Sequence, residues 1–123
     1  MKNQKRILII DDNMSFTKLL EALLKQKGYE VAIAKGGKEG IEMAKSASPD
    51  LILLDLGMPD LSGDVTALRI RSESKGCPIP IIALTGHGDP LTQATTRAMG
   101  FTDHIVKPFD ANDLFKRIEN VVK

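Results

Sequence analysis

Residues 49–63, PDLILLDLGMPDLSG, contain four consecutive apolar residues that are followed directly by Asp55. A short apolar run without polar alternation fits a strand buried on both faces, as in a parallel sheet covered by helices. Burying an ionised carboxylate beside such a strand would carry a large desolvation cost. The side chain of Asp55 is therefore expected at the carboxyl end of the strand, where open α/β sheets bind ligands. A turn-capping aspartate is the alternative role for this residue.

Five apolar runs of this kind alternate with segments of helical periodicity. The predicted strands cover residues 6–10, 29–34, 51–54, 79–84 and 102–106. Helices are predicted to begin at Asn13, at Lys38, near Val65, at Asp89 and at Asp110 or Asn112. Right-handed crossovers between successive strands then give an α/β fold, a doubly wound parallel sheet of five strands between two layers of helices.

Helical spacing also assigns an inner face to most of the predicted helices. The apolar residues assigned to inner faces are Phe16, Leu19, Leu20, Leu23 and Leu24 in the first helix, Ile41, Met43 and Ala44 in the second, Val65, Leu68 and Ile70 in the third, and Leu114, Phe115, Ile118, Val121 and Val122 in the last. Arg69 and Arg71 are assigned to the outer face of the third helix. The predicted fourth helix, residues 89–99, is the weakest, because it contains three β-branched threonines.

Length and charge limit the classes of function. The 123 residues fit a single domain, predicted to cover 1–123. Seventeen basic and sixteen acidic residues give a net charge of +1, so no overall field favours nucleic acid or an anionic membrane. Cys77 is the only cysteine, which fits a reducing compartment, and no segment resembles a signal peptide or a membrane span. We therefore expect a cytoplasmic protein without direct contacts to nucleic acid or membrane.

Polar residues follow four of the five predicted strands and should meet at one edge of the sheet. They are Asp11 and Asp12, Asp55, Thr85 and Lys107. Carboxylates that lie so close together repel one another, which raises the pKa of at least one of them unless a cation lies between them. Oxygen ligands of this kind suit a hard divalent ion, with Mg²⁺ preferred over Mn²⁺ or Ca²⁺.

The motifs around these positions resemble the receiver domain of two-component response regulators, and the single-domain chemotaxis regulators in particular. They are IIDDN at the first strand end, LLDLGMPDLSG around Asp55, PIIALTG ending near Thr85, and VKPF with Lys107. Their order and spacing cover essentially the whole chain. The resemblance implies a flavodoxin-like, three-layer fold with strand order 2-1-3-4-5.

The resemblance also implies a role for each site residue. Asp55 would accept a phosphoryl group from a phosphohistidine of a sensor histidine kinase or histidine phosphotransfer protein. Asp12, Asp55 and the carbonyl of Gly57 would hold Mg²⁺, with Asp11 bonded through water. Thr85 would hydrogen-bond the phosphoryl group and Lys107 would pair with it. A cis peptide bond between Lys107 and Pro108 is a further feature of the family.

Two histidines leave alternatives open. His104 occupies the place where many receivers carry a switching Tyr or Phe, but it could instead be an exposed residue on an edge strand. His87 would lie at the pocket rim or face solvent. Thr85 and His104 are the predicted switch, and the fourth helix, fifth strand and fifth helix are the predicted docking face for an unknown downstream protein. The resemblance implies a monomer or a phosphorylation-dependent dimer.

The resemblance predicts a signalling switch rather than an enzyme, one that supports its own phosphotransfer and slow dephosphorylation. An aspartate-nucleophile phosphohydrolase would need a second acid where Gly57 stands. Dinucleotide binding would need a glycine-rich first turn in place of Asp11-Asp12-Asn13. A phosphorylation-independent adaptor is a further alternative. The chain is either a stand-alone receiver, which Met1 and its polar lead favour, or a module of a hybrid histidine kinase or a longer regulator.

Overall fold

The computed structural model describes residues 4–73, 79–86, 98, 100–107 and 109–122. Its strands are β1 (Arg6–Ile10), β2 (Glu30–Ala34), β3 (Leu51–Asp55), β4 (Ile81–Thr85) and β5 (Asp103–Val106). Its helices are α1 (Met14–Gln26), α2 (Gly37–Ser46), α3 (Gly63–Glu73) and a C-terminal helix (Ala111–Val122). The strands form one parallel sheet in the order β2-β1-β3-β4-β5, which confirms the predicted topology.

The sheet separates two hydrophobic cores because successive strand residues point to opposite faces. Leu8 and Ile10 of β1 belong to the core that α2 and α3 cover. Ile7 and Ile9 belong to the core that α1 and the C-terminal helix cover. β1, β3 and β4 are apolar on both faces, and this double burial explains why their sequences lack alternation.

The inner faces of two helices were predicted wrongly. Leu19 of α1 is 55% exposed, and Val65 and Leu68 of α3 are 39% and 59% exposed. α3 instead buries small residues together with one large one at helical spacing, namely Gly63, Thr66, Ala67 and Ile70. α1 buries Thr17, Leu20 and Leu24. A Cβ added to Gly63 would lie 2.6 Å from Cα of Leu56, and one added to Gly37 of α2 would lie 2.5 Å from Oγ1 of Thr66. Small residues are needed at these close approaches, so the buried stripe of α3 is displaced from the larger apolar residues.

Arg71 was also assigned wrongly to the outer face. Its guanidinium is partly buried, where it donates from Nε and Nη2 to the carbonyl oxygen of Gly100 and from Nη1 to that of Ile79. Burial lowers the pKa of this group. The side chain of Arg71 therefore links α3 to residues that precede β4 and β5, whereas Arg69 is exposed.

The helix ends follow local capping rules. Asn13 precedes α1, and its side-chain oxygen accepts from the backbone N–H of Phe16 at 3.1 Å. Asp110, rather than Asn112, caps the C-terminal helix by accepting from the backbone N–H of Asp113 at 3.2 Å. The backbone of Gly28 adopts φ 92° where α1 ends, a left-handed conformation that glycine favours.

The N-terminus of α2 is capped by a residue that is distant in sequence. Gly36 has no side chain to supply the cap, and the carboxylate of Asp60, in the loop after β3, accepts from the backbone N–H groups of Gly37 and Lys38, both at 3.1 Å. These bonds lower the pKa of Asp60. The loop and α2 are thereby joined by a charge-assisted contact.

We expect Asp60→Ala to lower the free energy of unfolding by about 1 kcal/mol at neutral pH, the typical value of a helix cap. Because folding depresses the Asp60 pKa, this stabilisation is full above the unfolded-state pKa and disappears as pH falls through the folded-state value. Urea unfolding of wild type and variant between neutral and acidic pH measures the difference. Glu42→Ala, at an exposed position on α2, is the control. A difference between wild type and Asp60→Ala that stays constant with pH would contradict the cap.

Within the described residues, no helix is long and apolar enough to cross a membrane. Four sequence predictions lie outside these residues and stay predictions. They concern Cys77, His87, the peptide bond of Pro108, and the helix over 89–99, of which only residue 98 is described.

Candidate functional site

Three carboxylates meet at the carboxyl edge of the sheet. Asp11 and Asp12 follow β1, and Asp55 is the last residue of the neighbouring β3, where Ile10 lies opposite Leu54. One carboxylate oxygen from each of the three aspartates lies within 4.8 Å of the others. Asp11 is fully buried and Asp12 is exposed. The predicted convergence of these side chains is thus present in the structure.

Lys107 brings a positive charge to the cluster. It follows β5, and its backbone N–H donates to the carbonyl oxygen of Thr85 at 2.8 Å. Its Nζ lies 3.1 Å from Oδ2 of Asp11 and 3.6 Å from Oδ1 of Asp55. The sequence placed Lys107 at this edge but did not predict its ion pair with Asp11.

The buried Asp11 has a partner for each carboxylate oxygen. Oδ1 accepts from the backbone N–H of Asn13 at 2.9 Å, and Oδ2 accepts from Lys107. A fully buried carboxylate requires such partners, since an unpaired buried charge is very costly. Asp11 therefore anchors the ammonium of Lys107.

The electrostatics of Asp55 reflect its crowded position. Burial, followed by the charge of Asp11, raises the pKa of Asp55, while Lys107 and the backbone N–H of Gly57 act in the opposite direction. Repulsion between carboxylates was predicted to raise a pKa in this cluster, and burial proves to be the larger cause. The Gly57 N–H lies 3.3 Å from Oδ1 of Asp55. Asp55 is thus a carboxylate whose charge is poorly solvated.

Thr85 ends β4, the strand between β3 and β5, and is almost fully buried. Its hydroxyl donates to the carbonyl oxygen of Ile105 in β5 at 3.4 Å, a long and hence weak hydrogen bond. The hydroxyl lies at the same sheet edge as the carboxylates, and little energy is needed to turn it away from β5.

The donor set fits a hard divalent cation. Three carboxylate oxygens are close together, and the exposed Asp12 leaves one side accessible to solvent. Gly57 is also exposed, and nothing would lie within 4 Å of a Cβ added there. Oxygen ligands with room for water are what Mg²⁺ binds in proteins.

Comparison with known families agrees with this geometry. The model of the response regulator receiver domain family matches residues 7–119. The chain belongs to this family. The receiver fold and the acidic cluster at its sheet edge are therefore family properties, and the domain is a signalling module of two-component systems.

Two curated relatives show the receiver in longer proteins. The chain is 38% identical over 121 residues to the probable transcriptional regulator ycf27 of Cyanophora paradoxa, covering 98% of this chain and 49% of that protein. It is 39% identical over 118 residues to the CAI-1 autoinducer sensor kinase/phosphatase CqsS of Vibrio cholerae, covering 95% of this chain and 17% of that protein. The chain thus spans half or less of the length of these relatives.

Solved receivers superpose closely. The chemotaxis protein CheY4 of Vibrio cholerae has a TM-score of 0.88 at 31% identity and covers 97% of this chain and 99% of its own. The receiver domain of sensor histidine kinase PA1611 from Pseudomonas aeruginosa has a TM-score of 0.86 at 28% identity, with 98% of both chains covered. The PA1611 receiver was solved with a magnesium ion in its active-site cleft.

His104 lies in β5 of this receiver, opposite Ala83 of β4, and is partly buried. Its backbone N–H donates to the carboxylate of Asp103 at 2.7 Å. Its role as a switch residue stays a prediction.

Phe16 is a site neighbour whose second role the sequence does not predict. It packs against the core from the inner face of α1, as predicted, and its ring centroid also lies 4.2 Å from Nζ of Lys107. The sequence signal for this contact is the position of Phe16 in the first turn of α1, four residues after Asp12.

Proposed function

We propose that this receiver, spanning residues 1–123, is the phosphoacceptor of a two-component phosphorelay and that Asp55 receives the phosphoryl group. The observation that supports this most directly is the position of Asp55 at the end of β3, in a carboxylate cluster and 3.6 Å from the ammonium of Lys107. The donor would be a phosphohistidine of a sensor histidine kinase or histidine phosphotransfer protein.

In the transfer, a carboxylate oxygen of Asp55 forms a bond to phosphorus while the phosphorus–nitrogen bond of the donor breaks. The bonding electron pair stays on the imidazole nitrogen of the donor. Phosphoryl transfer asks the protein mainly for alignment and for positive charge near the equatorial oxygens. Lys107 supplies that charge, because its ion pair with Asp11 already holds the ammonium beside Asp55. The product is an aspartyl phosphate.

The same residues are suited to a metal. Asp12, Asp55 and the carbonyl of Gly57 would hold Mg²⁺, with Asp11 bonded through water. The ion would supply further positive charge to the phosphoryl oxygens. The acidic donor set and the magnesium-bound PA1611 receiver support this assignment.

Phosphorylation would then change the edge of the sheet. The Thr85 hydroxyl exchanges its weak bond to Ile105 for one to a phosphoryl oxygen, and His104 can turn inward. Phosphorylation favours a conformation that already exists and shifts its population. The partner-binding face would comprise the predicted fourth helix, β5 and the C-terminal helix, for a downstream protein or for a phosphorylation-dependent dimer.

In this proposal the receiver is a switch that supports its own phosphotransfer and slow dephosphorylation rather than a turnover enzyme. A cytoplasmic location stays a prediction, supported by the single cysteine of the sequence.

Incubation with acetyl phosphate tests the proposal. We expect one retarded band on Phos-tag gels when Mg²⁺ is present and none when it is chelated. Asp12→Asn should need far more Mg²⁺ for the same retardation, because one carboxylate of the cluster is lost. Equal phosphorylation of wild type and Asp12→Asn at every Mg²⁺ concentration would overturn the metal assignment, and no phosphorylation of wild type by any donor would overturn the function.

A further inference from the structure

The ammonium of Lys107 touches an aromatic ring as well as two carboxylates. Nζ lies 4.2 Å from the centroid of Phe16, within the range of a cation–π contact. The carboxylates of Asp11 and Asp55 lie 3.1 and 3.6 Å from the same atom. The ring therefore contributes to the position of a charge that the proposed reaction needs.

The Phe16 ring is itself held in place. It packs edge to face on Phe109, with centroids 5.6 Å apart and an interplanar angle of 73°. Phe109 lies two residues after Lys107, so this ring pair joins α1 to the segment that carries the lysine. The orientation of Phe16 is thus fixed relative to Lys107.

The surroundings would allow Lys107 to leave the carboxylates. A cavity of about 330 Å³ lies beside the lysine and is lined by Phe16, Leu19, Lys107 and Phe109. The Lys107 side chain is 25% exposed, and a lysine stem has several rotatable bonds. Because an alternative space is available, the contact with the ring limits the conformations open to the ammonium.

We propose that Phe16 is a positioning residue that holds the Lys107 ammonium at the Asp11–Asp55 pair through the face of its ring. This inference rests on the proposed function, since the positioned ammonium is the one that meets the incoming phosphoryl group. Phe16 touches neither the carboxylates nor phosphorus in this scheme. It acts through Lys107 alone.

The chain offers a matched control. Nζ of Lys27, the residue that follows α1, lies 4.8 Å from the ring centroid of Phe115 in the C-terminal helix, a second cation–π contact. Lys27 pairs with none of the three carboxylates of the site. Phe115→Leu therefore removes an equivalent contact without disturbing the site.

Proton NMR of the metal-free protein tests the geometry. An aromatic ring shifts the ε-methylene protons of a lysine lying over its face upfield. We expect Phe16→Leu to abolish the upfield shift of Lys107 and to leave that of Lys27, and Phe115→Leu to do the reverse. An unchanged Lys107 shift in Phe16→Leu would overturn the proposal, whatever the protein does with phosphodonors.

The rate of phosphorylation by acetyl phosphate with Mg²⁺ tests the consequence. We expect Phe16→Leu to slow the reaction about five-fold, as loss of a partly desolvated cation–π contact implies, and Phe115→Leu to match wild type. Incorporation of 3,5-difluorophenylalanine at position 16 keeps the ring shape but weakens the negative potential of its face, so it should also slow the reaction. A wild-type rate for the fluorinated protein would show that Phe16 acts by packing alone.

The two readouts separate the proposals. If wild type takes up no phosphoryl group but its Lys107 shift depends on Phe16, the proposed function fails and the positioning contact stands. If wild type is phosphorylated at Asp55 and neither variant of Phe16 changes the rate, the positioning role fails and the function stands.

Discussion

Replacing Asp55 with asparagine is expected to abolish acid-labile phosphorylation while the fold survives. The amide is nearly the same size as the carboxylate, but it is not an anionic nucleophile and cannot form the aspartyl phosphate. The Lys107 ammonium keeps Asp11 and the Phe16 ring as partners, so the site should not collapse.

The same substitution should not lower stability in the absence of metal. Burial and the charge of Asp11 raise the pKa of Asp55, which means that the ionised form is less favourable in the folded protein than in water. A neutral side chain removes that cost. We therefore expect the melting temperature of Asp55→Asn to equal or exceed that of wild type.

Intact mass spectrometry after treatment with acetyl phosphate and Mg²⁺ measures the loss of the phosphoryl group. Asp50→Asn is the control, because this residue precedes β3 at the opposite end of the strand and accepts from the backbone N–H of Arg6. Single phosphorylation of Asp55→Asn at the wild-type level would place the acceptor elsewhere.

Gly63→Ala is expected to destabilise the fold strongly. A Cβ at this position would lie 2.5 Å from Cδ2 of Leu56, 2.6 Å from its Cα and 3.0 Å from the carbonyl oxygen of Asp55. A side chain can rotate away, but the backbone of the strand end cannot without moving Asp55. We expect a loss of about 3 kcal/mol, at the upper end for overpacking, and a melting temperature lower by about 10 °C.

Gly57→Ala is the matched control for Gly63→Ala. Both glycines lie in or next to the loop after β3, but nothing would lie within 4 Å of a Cβ at Gly57. Thermal unfolding should show a wild-type melting temperature for Gly57→Ala. Similar melting temperatures for the two variants would contradict the close approach of α3 to the end of β3.

Much of this architecture could be predicted because the sequence patterns are local. Unalternated apolar runs such as that of β3 indicate a strand buried on both faces, and parallel strands bring their ends to one edge. The meeting of Asp11, Asp55 and Lys107 follows from that topology. Predicting these three residues required only the strand ends and the strand order, not the packing of individual side chains.

The errors concern features that only packing decides. Val65 and Leu68 are larger apolar residues than Thr66 and Ala67, but α3 buries the smaller pair, and Thr66 lies directly against Gly37 of α2. The contact between Lys107 and Phe16 joins residues on separate elements. A periodicity argument ranks side chains by hydrophobicity and cannot state how much space lies beneath a helix or where a lysine head group comes to rest.

The cap of α2 by Asp60 has a consequence for how a signal could leave the site. Asp60 lies in the loop after β3, five residues beyond Asp55, and it caps the first turn of α2, a helix on the opposite face of the sheet from α1. A rearrangement of this loop that moves Asp60 changes the free energy of the first turn of α2. By thermodynamic linkage, a change in the stability of that turn alters the free energy of the loop rearrangement by the same amount. A ligand that bound preferentially to the capped start of α2 would therefore favour one conformation of the loop beside Asp55, a carboxylate that it never touches.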